Sequence, residues 1–440
     1  MSDYMFMLES HLTGDQTKVL GQVRDAAEQA NLNLFLTGGA MRDMMGGFPI
    51  RDLDFTVEGP AVKFAKSFAE TSGARIISVD DVRKSVELVF PGGVSAGIGM
   101  ARIEKYSKPG ARPQVSPGTI HDDLQGRDFT VNAIALSLGK ASRGLLLDPT
   151  NGLGDLAAKE LRATSNHALC DDPSRILRMF RLKARFALTI VDRTLSQYQG
   201  VREARLETKI PASAFEYEFR QIARDITAPE ILKTLDDEKL LAVLSPALTG
   251  AKLNLPGFQK LQKVRQSLPV DGALTVDWYA LFLFLLFEKL TSRERSALTQ
   301  ALGIEKAELD AASKLETRAT KVEKELAGAR ITKPSMLYAR LCNVSGELLV
   351  FLLMRSGQRI VLDRVKNYLQ KYLPLAQEVT EKDVIEAGAQ PGTPKFAKIQ
   401  QQLIASKLDA RPKKVVVEEP PPPPPSGPGR RSSSFARSIT

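Results

Sequence analysis

Strand-like patterning in this 440-residue chain stops near residue 150, and that switch limits the possible folds more than any other feature of the sequence. Before it, Leu34–Thr37 reads as a short buried strand and Asp52–Val57 alternates polar with apolar; Ile76–Val79, Val86–Phe90 and Ser95–Ile103 are further strand candidates. Gly38-Gly39 turns the first of these into a short helix, and Val62–Ser72 has amphipathic helical spacing. From about 150 to 410 the apolar residues recur at helical intervals, strand signals nearly vanish and no internal repeat is found. The pattern predicts a multi-domain α+β chain with an α/β domain over 1–148 followed by a long, basic, all-helical arm to about 411. Residues 412–440 hold eight of the 25 prolines, with the run Pro420–Pro425, and are expected to form a disordered tail.

Composition narrows the class. The longest apolar run, Trp278–Phe287, has 10 residues, against the roughly 18 to 20 that a membrane span needs, so it predicts a buried helix and no membrane partner. The N-terminus carries three acidic residues (Asp3, Glu9 and Asp15) before the first lysine or arginine and lacks a cleavable apolar segment, so a cytoplasmic location is expected. Cys170 and Cys342 are too few and too far apart for a disulfide framework or a zinc site. The net charge is +10; the last 30 residues hold six basic and two acidic side chains, leaving a mild excess elsewhere that suits a polyanionic partner. Nothing in the sequence points to a stable protein partner.

Two segments carry chemistry. In Thr37-Gly38-Gly39-Ala40-Met41-Arg42-Asp43 a strand ends in two glycines and feeds a helix, which lets backbone amides approach a phosphate that Arg42 can also grip; alone, such a pair is as well explained by a tight turn. In Arg51-Asp52-Leu53-Asp54-Phe55 residues two apart share a face, so both carboxylates converge while Leu53 and Phe55 enter the core. Carboxylates this close repel unless a cation lies between them, and Mg²⁺ suits their hard oxygens; alone, an exposed strand with two solvated aspartates accounts for them too.

Taken together, a Gly-Gly turn followed by an Asp-x-Asp strand resembles the head of the DNA polymerase β-like nucleotidyltransferases, which would make 1–148 the nucleotidyltransferase head, 149–240 a helical neck and 241–411 a helical body and tail. The string from Gly38 through Gly46 to Asp54 resembles the class II tRNA nucleotidyltransferases and bacterial poly(A) polymerases. The likeness continues in order through Arg102-Ile103-Glu104-Lys105-Tyr106, Pro109-Gly110 and Pro113, then Asp123 to Ala133, then Asp148-Pro149, Gly152-Leu153 and Asp155-Leu156, then Asp171 to Arg178. Lys382-Asp383, Gly388 and Pro391-Gly392 resemble the terminal helical element of bacterial members. The resemblance implies a two-Mg²⁺ site on Asp52 and Asp54, which would be the catalytic residues. It also implies nucleotide contacts at Gly38, Gly39, Arg42, Asp43, Arg127, Asp128 and Asn132, and base recognition through Asp172, Arg175, Arg178 and Arg181. The expected reaction is addition of CMP, AMP or both, from CTP or ATP, to the 3′ end of tRNA.

The base motif makes physical sense by itself. Asp172 before Pro173 reads as a helix N-cap, and Arg175, Arg178 and Arg181 form a basic stripe while Ile176, Phe180 and Leu182 turn to the core; a solvated face is the plainer account of that stripe. An acceptor beside a donor matches cytosine and adenine, which both offer an exocyclic amine next to a ring-nitrogen acceptor, and mismatches guanine and uracil. His11, His121 and His167 are too scattered for a metal phosphohydrolase site and are expected at the surface or in turns.

Three positions depart from the family pattern. Gly126 stands where an arginine is usual, Gly97 where an acidic residue is common, and Ala214 where an arginine often precedes the residue matching Glu218. They keep two other readings open: a poly(A) polymerase acting on other RNAs, and a catalytically degenerate RNA-binding protein. A dinucleotide-binding oxidoreductase is disfavoured, because the Gly-x-Gly-x-x-Gly spacing and its acidic ribose partner are absent.

Overall fold

A computed structural model of the chain describes residues 3–268, 274–328 and 330–410. The tail expected at 412–440 lies outside the described residues.

The strands are β1 (Asn33–Thr37), β2 (Leu53–Glu58), β3 (Arg75–Asp80), β4 (Ser85–Val89), β5 (Ser95–Met100), β6 (Arg102–Lys105), β7 (Gln114–Pro117), β8 (Ala135–Ser137) and β9 (Leu146–Leu147). Seven of them form one sheet in the order β3-β4-β5-β2-β1-β8-β9, antiparallel throughout except where β2 runs parallel to β5. β2 is therefore the central strand. Its Leu53, Phe55 and Val57 are buried beneath the helices Gly14–Gln29 and Ala61–Ser72, each such side chain stabilising the head by about 1.5–3 kcal/mol. The period of two then aims Asp54 and Thr56 at the opposite face. Both covering helices have clear ends: Thr13 and Gln16 cap each other reciprocally at the start of the first, and Gly73, left-handed at φ +71°, stops the second.

The single strand expected over Ser95–Ile103 is in fact two. Ala101 donates its N–H to the Val57 carbonyl and accepts from Gly118 N–H, and the chain then leaves the sheet to pair Arg102–Lys105 with Gln114–Pro117 as a separate ribbon.

Beyond Leu147 the described residues are helices and loops apart from an isolated bridge of Ala163 to Phe129 and a two-residue parallel pair, Glu160–Leu161 with Thr189–Ile190, too short for periodicity to reveal. The helix Arg175–Phe186 buries Ile176, Phe180 and Leu182 as the pattern predicts. The apolar run Trp278–Phe287 is a buried helix; among the described residues no single helix is long and apolar enough to cross a membrane. The fold is an α+β head followed by helices.

The described residues divide into two compact units. Residues 3–328 with 343–370 hold the sheet, the helix Arg175–Phe186 and every candidate site residue. Residues 330–342 with 371–410 form a small helical unit packed on Ala376, Ile404 and Leu408, with the Lys382-to-Gly392 motif string within it.

Candidate active site

All thirteen residues singled out in the sequence line one cleft of about 1020 Å³: Gly38, Gly39, Arg42, Asp43, Asp52, Asp54, Arg127, Asp128, Asn132, Asp172, Arg175, Arg178 and Arg181. None of the three histidines does.

The floor is the start of β2. Asp54 accepts the Gly39 N–H at 3.1 Å, and the Gly38 N–H goes to the Ile134 carbonyl at 3.3 Å. This corrects the expectation that these amides stand ready for a phosphate: the turn's first task is to hold Asp54. Gly38 is left-handed at φ +63°, and a Cβ there would lie 2.9 Å from an Arg127 guanidinium nitrogen, so both backbone and space demand glycine. Arg127 underlies the turn, donating to Asp123, to the Asn132 carbonyl and to the Thr37 and Thr56 hydroxyls.

Burial, then the charges of Asp52 and Glu87, push the Asp54 carboxyl up to about 7, against the opposing pull of Arg127 and Arg42. Burial and Asp52 likewise raise Glu87. Glu87 is a site residue that the sequence reading missed. It lies on β4 directly opposite Gly97 on β5, and Gly97 in turn faces Asp54 on β2. A Cβ at Gly97 would stand 3.1 Å from a Glu87 oxygen and 3.6 Å from an Asp54 oxygen. The acidic group missing at Gly97 is thus matched by one on the neighbouring strand, reaching across the space that the glycine leaves.

Asp52 has a partner that no local pattern announces: Arg224 forks onto it with bonds of 2.7 and 3.1 Å. Arg42 is buried and commits its nitrogens to Asp43 and Asn132, with its guanidinium 4.7 Å from the centre of the Phe186 ring. The free phosphate fork expected of Arg42 is therefore already occupied. Asp43 also receives Arg185 at 2.7 Å, and burial together with the nearby Arg51 and Arg42, against the pull of Asp43, brings the Arg185 guanidinium down to about 10. Arg51, Arg42 and Arg185 make this end of the cleft rich in positive charge.

The arginine stripe is neither solvated nor free. Arg178 donates to Asp128 at 2.6 Å and to Glu218 at 3.1 Å, and the buried Arg181 donates to Glu218 at 2.6 Å. Burial opposes ionisation of Asp128 and Glu218, but the arginines outweigh it and hold both below the usual carboxylate range. Asp128 also accepts from the Phe129 N–H and from Asn132. Arg175 donates to the carbonyls of Gly126 and Arg127 at 3.2 and 3.3 Å, so the position lacking an arginine side chain contributes its backbone instead. Ala214 lines the cleft beside Glu218.

Asp172 sits three residues before its helix, which starts at Arg175, not at Pro173. Its Oδ1 accepts the Ser174 N–H and hydroxyl, and its Oδ2 accepts Arg83 at 3.2 Å. The helix N-cap expected at Asp172 is Ser174 instead, without a side-chain cap bond; Asp172 braces the turn that leads into the helix and still presents one oxygen to the cleft.

Among the described residues no group of three or more His, Cys, Asp or Glu side chains forms a closed metal-ligand set. The donors nevertheless fit Mg²⁺: Asp52 and Asp54 are hard oxygen ligands whose mutual repulsion a cation would relieve in competition with Arg224, and an open set leaves coordination positions for phosphate oxygens and water.

Residues 34–162 match the family described as the poly A polymerase head domain. Over 403 residues the chain is 28% identical to the A-adding tRNA nucleotidyltransferase of Halalkalibacterium halodurans, covering 89% of this chain and 88% of that one. Over 164 residues it is 39% identical to the CC-adding tRNA nucleotidyltransferase of Deinococcus radiodurans, covering 37% and 44% of the two chains. Two further A-adding relatives are matched over less than half of their own length. In structure the chain resembles a CCA-adding enzyme in its apo form with a TM-score of 0.52 at 22% identity, covering 94% of this chain and 96% of that one.

Proposed function

We propose that the chain, a nucleotidyltransferase with a poly A polymerase head domain and A-adding and CC-adding tRNA nucleotidyltransferases among its relatives, adds CMP, AMP or both, from CTP or ATP, to the 3′ end of tRNA with release of pyrophosphate. The observation that carries this reading is the convergence on one cleft of the β2 aspartates, the Gly-Gly turn and the Asp172–Arg175 pair. The tRNA substrate comes from the relatives named above.

Asp52 and Asp54 would hold Mg²⁺, which when bound acidifies the primer 3′-hydroxyl and offsets charge on the departing pyrophosphate. The remaining roles belong to the chain itself. The glycine turn and Arg127 keep Asp54 on the cleft face. Arg51, Arg42 and Arg185 draw the triphosphate to that end by their field. Arg178, held by Asp128 and Glu218, fixes the helix that bears the base-reading residues. Asp172 offers an acceptor to the exocyclic amine, and Arg175 turns from two backbone carbonyls to donate to the ring nitrogen, so cytosine and adenine satisfy both and uracil and guanine neither. No protein nucleophile is needed.

Incubating the full chain with tRNAs ending before CCA, after C and after CC, with one labelled nucleotide at a time, tests the reading. CMP or AMP incorporation without UMP or GMP is expected. Tight tRNA binding with no incorporation at any stage would overturn it in favour of a degenerate RNA-binding protein.

A further inference from the structure

We propose that Arg83 is a specificity-positioning residue: it holds the Asp172 carboxylate in the orientation that selects cytosine and adenine. The proposal rests on the base-reading role of Asp172 proposed above. Arg83 lies in the turn between β3 and β4, outside every motif that the sequence singles out, yet it lines the same cleft as Asp172. The turn is itself fixed, because Asp80 accepts the backbone N–H groups of both Val82 and Arg83 at 2.8 Å.

The side chain bridges two carboxylates. Its Nε lies 3.4 Å from Glu104 and its terminal NH2 donates to Asp172 Oδ2 at 3.2 Å. Glu104 is anchored in turn by Arg102 at 2.8 Å and by the Tyr106 hydroxyl at 2.6 Å. A chain of charged contacts therefore runs from the β6–β7 ribbon through the Arg83–Glu104 ion pair to the base motif, and its last link, a hydrogen bond, falls on the oxygen that Ser174 does not take.

That choice of oxygen matters. Ser174 takes Oδ1 twice, and a carboxylate bound at one oxygen alone remains loose about its terminal torsion. Arg83 fixes Oδ2 while filling one of its two acceptor positions, which leaves one for the amine of the incoming base. With Nε facing Glu104, the guanidinium turns its NH2 edge to Asp172. A lysine offers one compact charge and cannot span both carboxylates with a planar fork.

The test compares Arg83→Ala, Arg83→Lys, Asp172→Ala and the double variant Arg83→Ala/Asp172→Ala. For each, kcat/KM is measured for all four nucleotides on one tRNA, alongside a thermal melt. Arg83→Ala is expected to lower discrimination for CTP and ATP over UTP and GTP by about 5- to 30-fold. Arg83→Lys should recover part of it, and the double variant should discriminate no worse than Asp172→Ala alone. A merely structural arginine would lower the melting temperature or all four rates together and leave the ratio untouched, which overturns the proposal. If Asp172→Ala shifts the ratio and Arg83→Ala does not, the base reading stands and Arg83 falls. If Asp172→Ala leaves the ratio unchanged, the base reading itself falls; an Arg83 effect that persists undiminished without Asp172 excludes a route through that carboxylate.

Discussion

Replacing Asp54 by asparagine should make the protein both inactive and more stable, and the size of the gain can be worked from the site. In the metal-free chain the Asp54 carboxyl is raised from 3.8 to about 7 by burial, Asp52 and Glu87. Three pKa units at about 1.4 kcal/mol each give a ceiling near 4 kcal/mol for the cost of ionising it in place. Part of the residue opens on the solvent-filled cleft, which screens the repulsion, so about 2 kcal/mol is the realistic gain. Asparagine keeps an oxygen for the Gly39 N–H, so little native bonding is lost. The sign follows from linkage: a carboxylate whose folded pKa is raised costs nothing below its unfolded value, and its stability is lost as pH rises through the folded one. Asp54→Asn should therefore gain about 2 kcal/mol over the parent at pH 8 in EDTA, measured by urea unfolding, and close to nothing near pH 4. Labelled-nucleotide incorporation should fall by at least two to three orders of magnitude. An equal stability increment at both pH values, or more than a tenth of the activity retained, would refute the reasoning.

Three further outcomes are expected. Arg224→Ala removes the fork that competes for Asp52, so half-maximal incorporation should need less Mg²⁺; a higher requirement in a Mg²⁺ titration would show that Arg224 helps build the site. Glu218→Gln deprives Arg178 and the buried Arg181 of the carboxylate they share and should cost about 3 kcal/mol at neutral pH; because Glu218 is held below its ordinary 4.5, the parent's advantage should shrink as pH falls through that region, and a pH-independent difference would contradict the pairing. Affinity for tRNA should fall linearly with log salt, since phosphate contacts dominate; a flat profile in filter binding would exclude that mode.

The carboxylate floor was legible in the sequence because it obeys a local rule. A period of two puts Leu53 and Phe55 in the core, and Asp52 and Asp54 then have only the other face to occupy. The inward side of Arg175–Phe186 was legible for the same reason, at helical spacing. What stayed hidden joins residues with no shared period. Arg224 meets Asp52 across 172 residues, and Arg185 meets Asp43 across 142; such pairs exist only once the helices pack on the head. Glu87 is an intermediate case. The gap at Gly97 is visible in the sequence, but knowing which neighbour fills it requires the register of the β4–β5 hairpin. The glycine turn misled for the opposite reason: its amides have the spacing of a phosphate cradle, and the nearest acceptor turned out to be the chain's own Asp54.

The pairing of head carboxylates with arginines from later helices has a consequence for the order in which the protein is made. The sheet and its core come from residues before about 150, so this part leaves the ribosome first and holds enough apolar surface to fold while the rest is being synthesised. At that stage Asp43, Asp52 and Asp128 stand without Arg185, Arg224 and Arg178, which are translated later. The nascent head is thus an acidic surface awaiting basic helices, and the wall that carries Asp172 and Arg175 does not yet exist. On the function proposed above, a ribosome-bound head would carry the carboxylate floor before it carries the Asp172–Arg175 wall, so catalysis and base choice would be completed together only when the later helices dock.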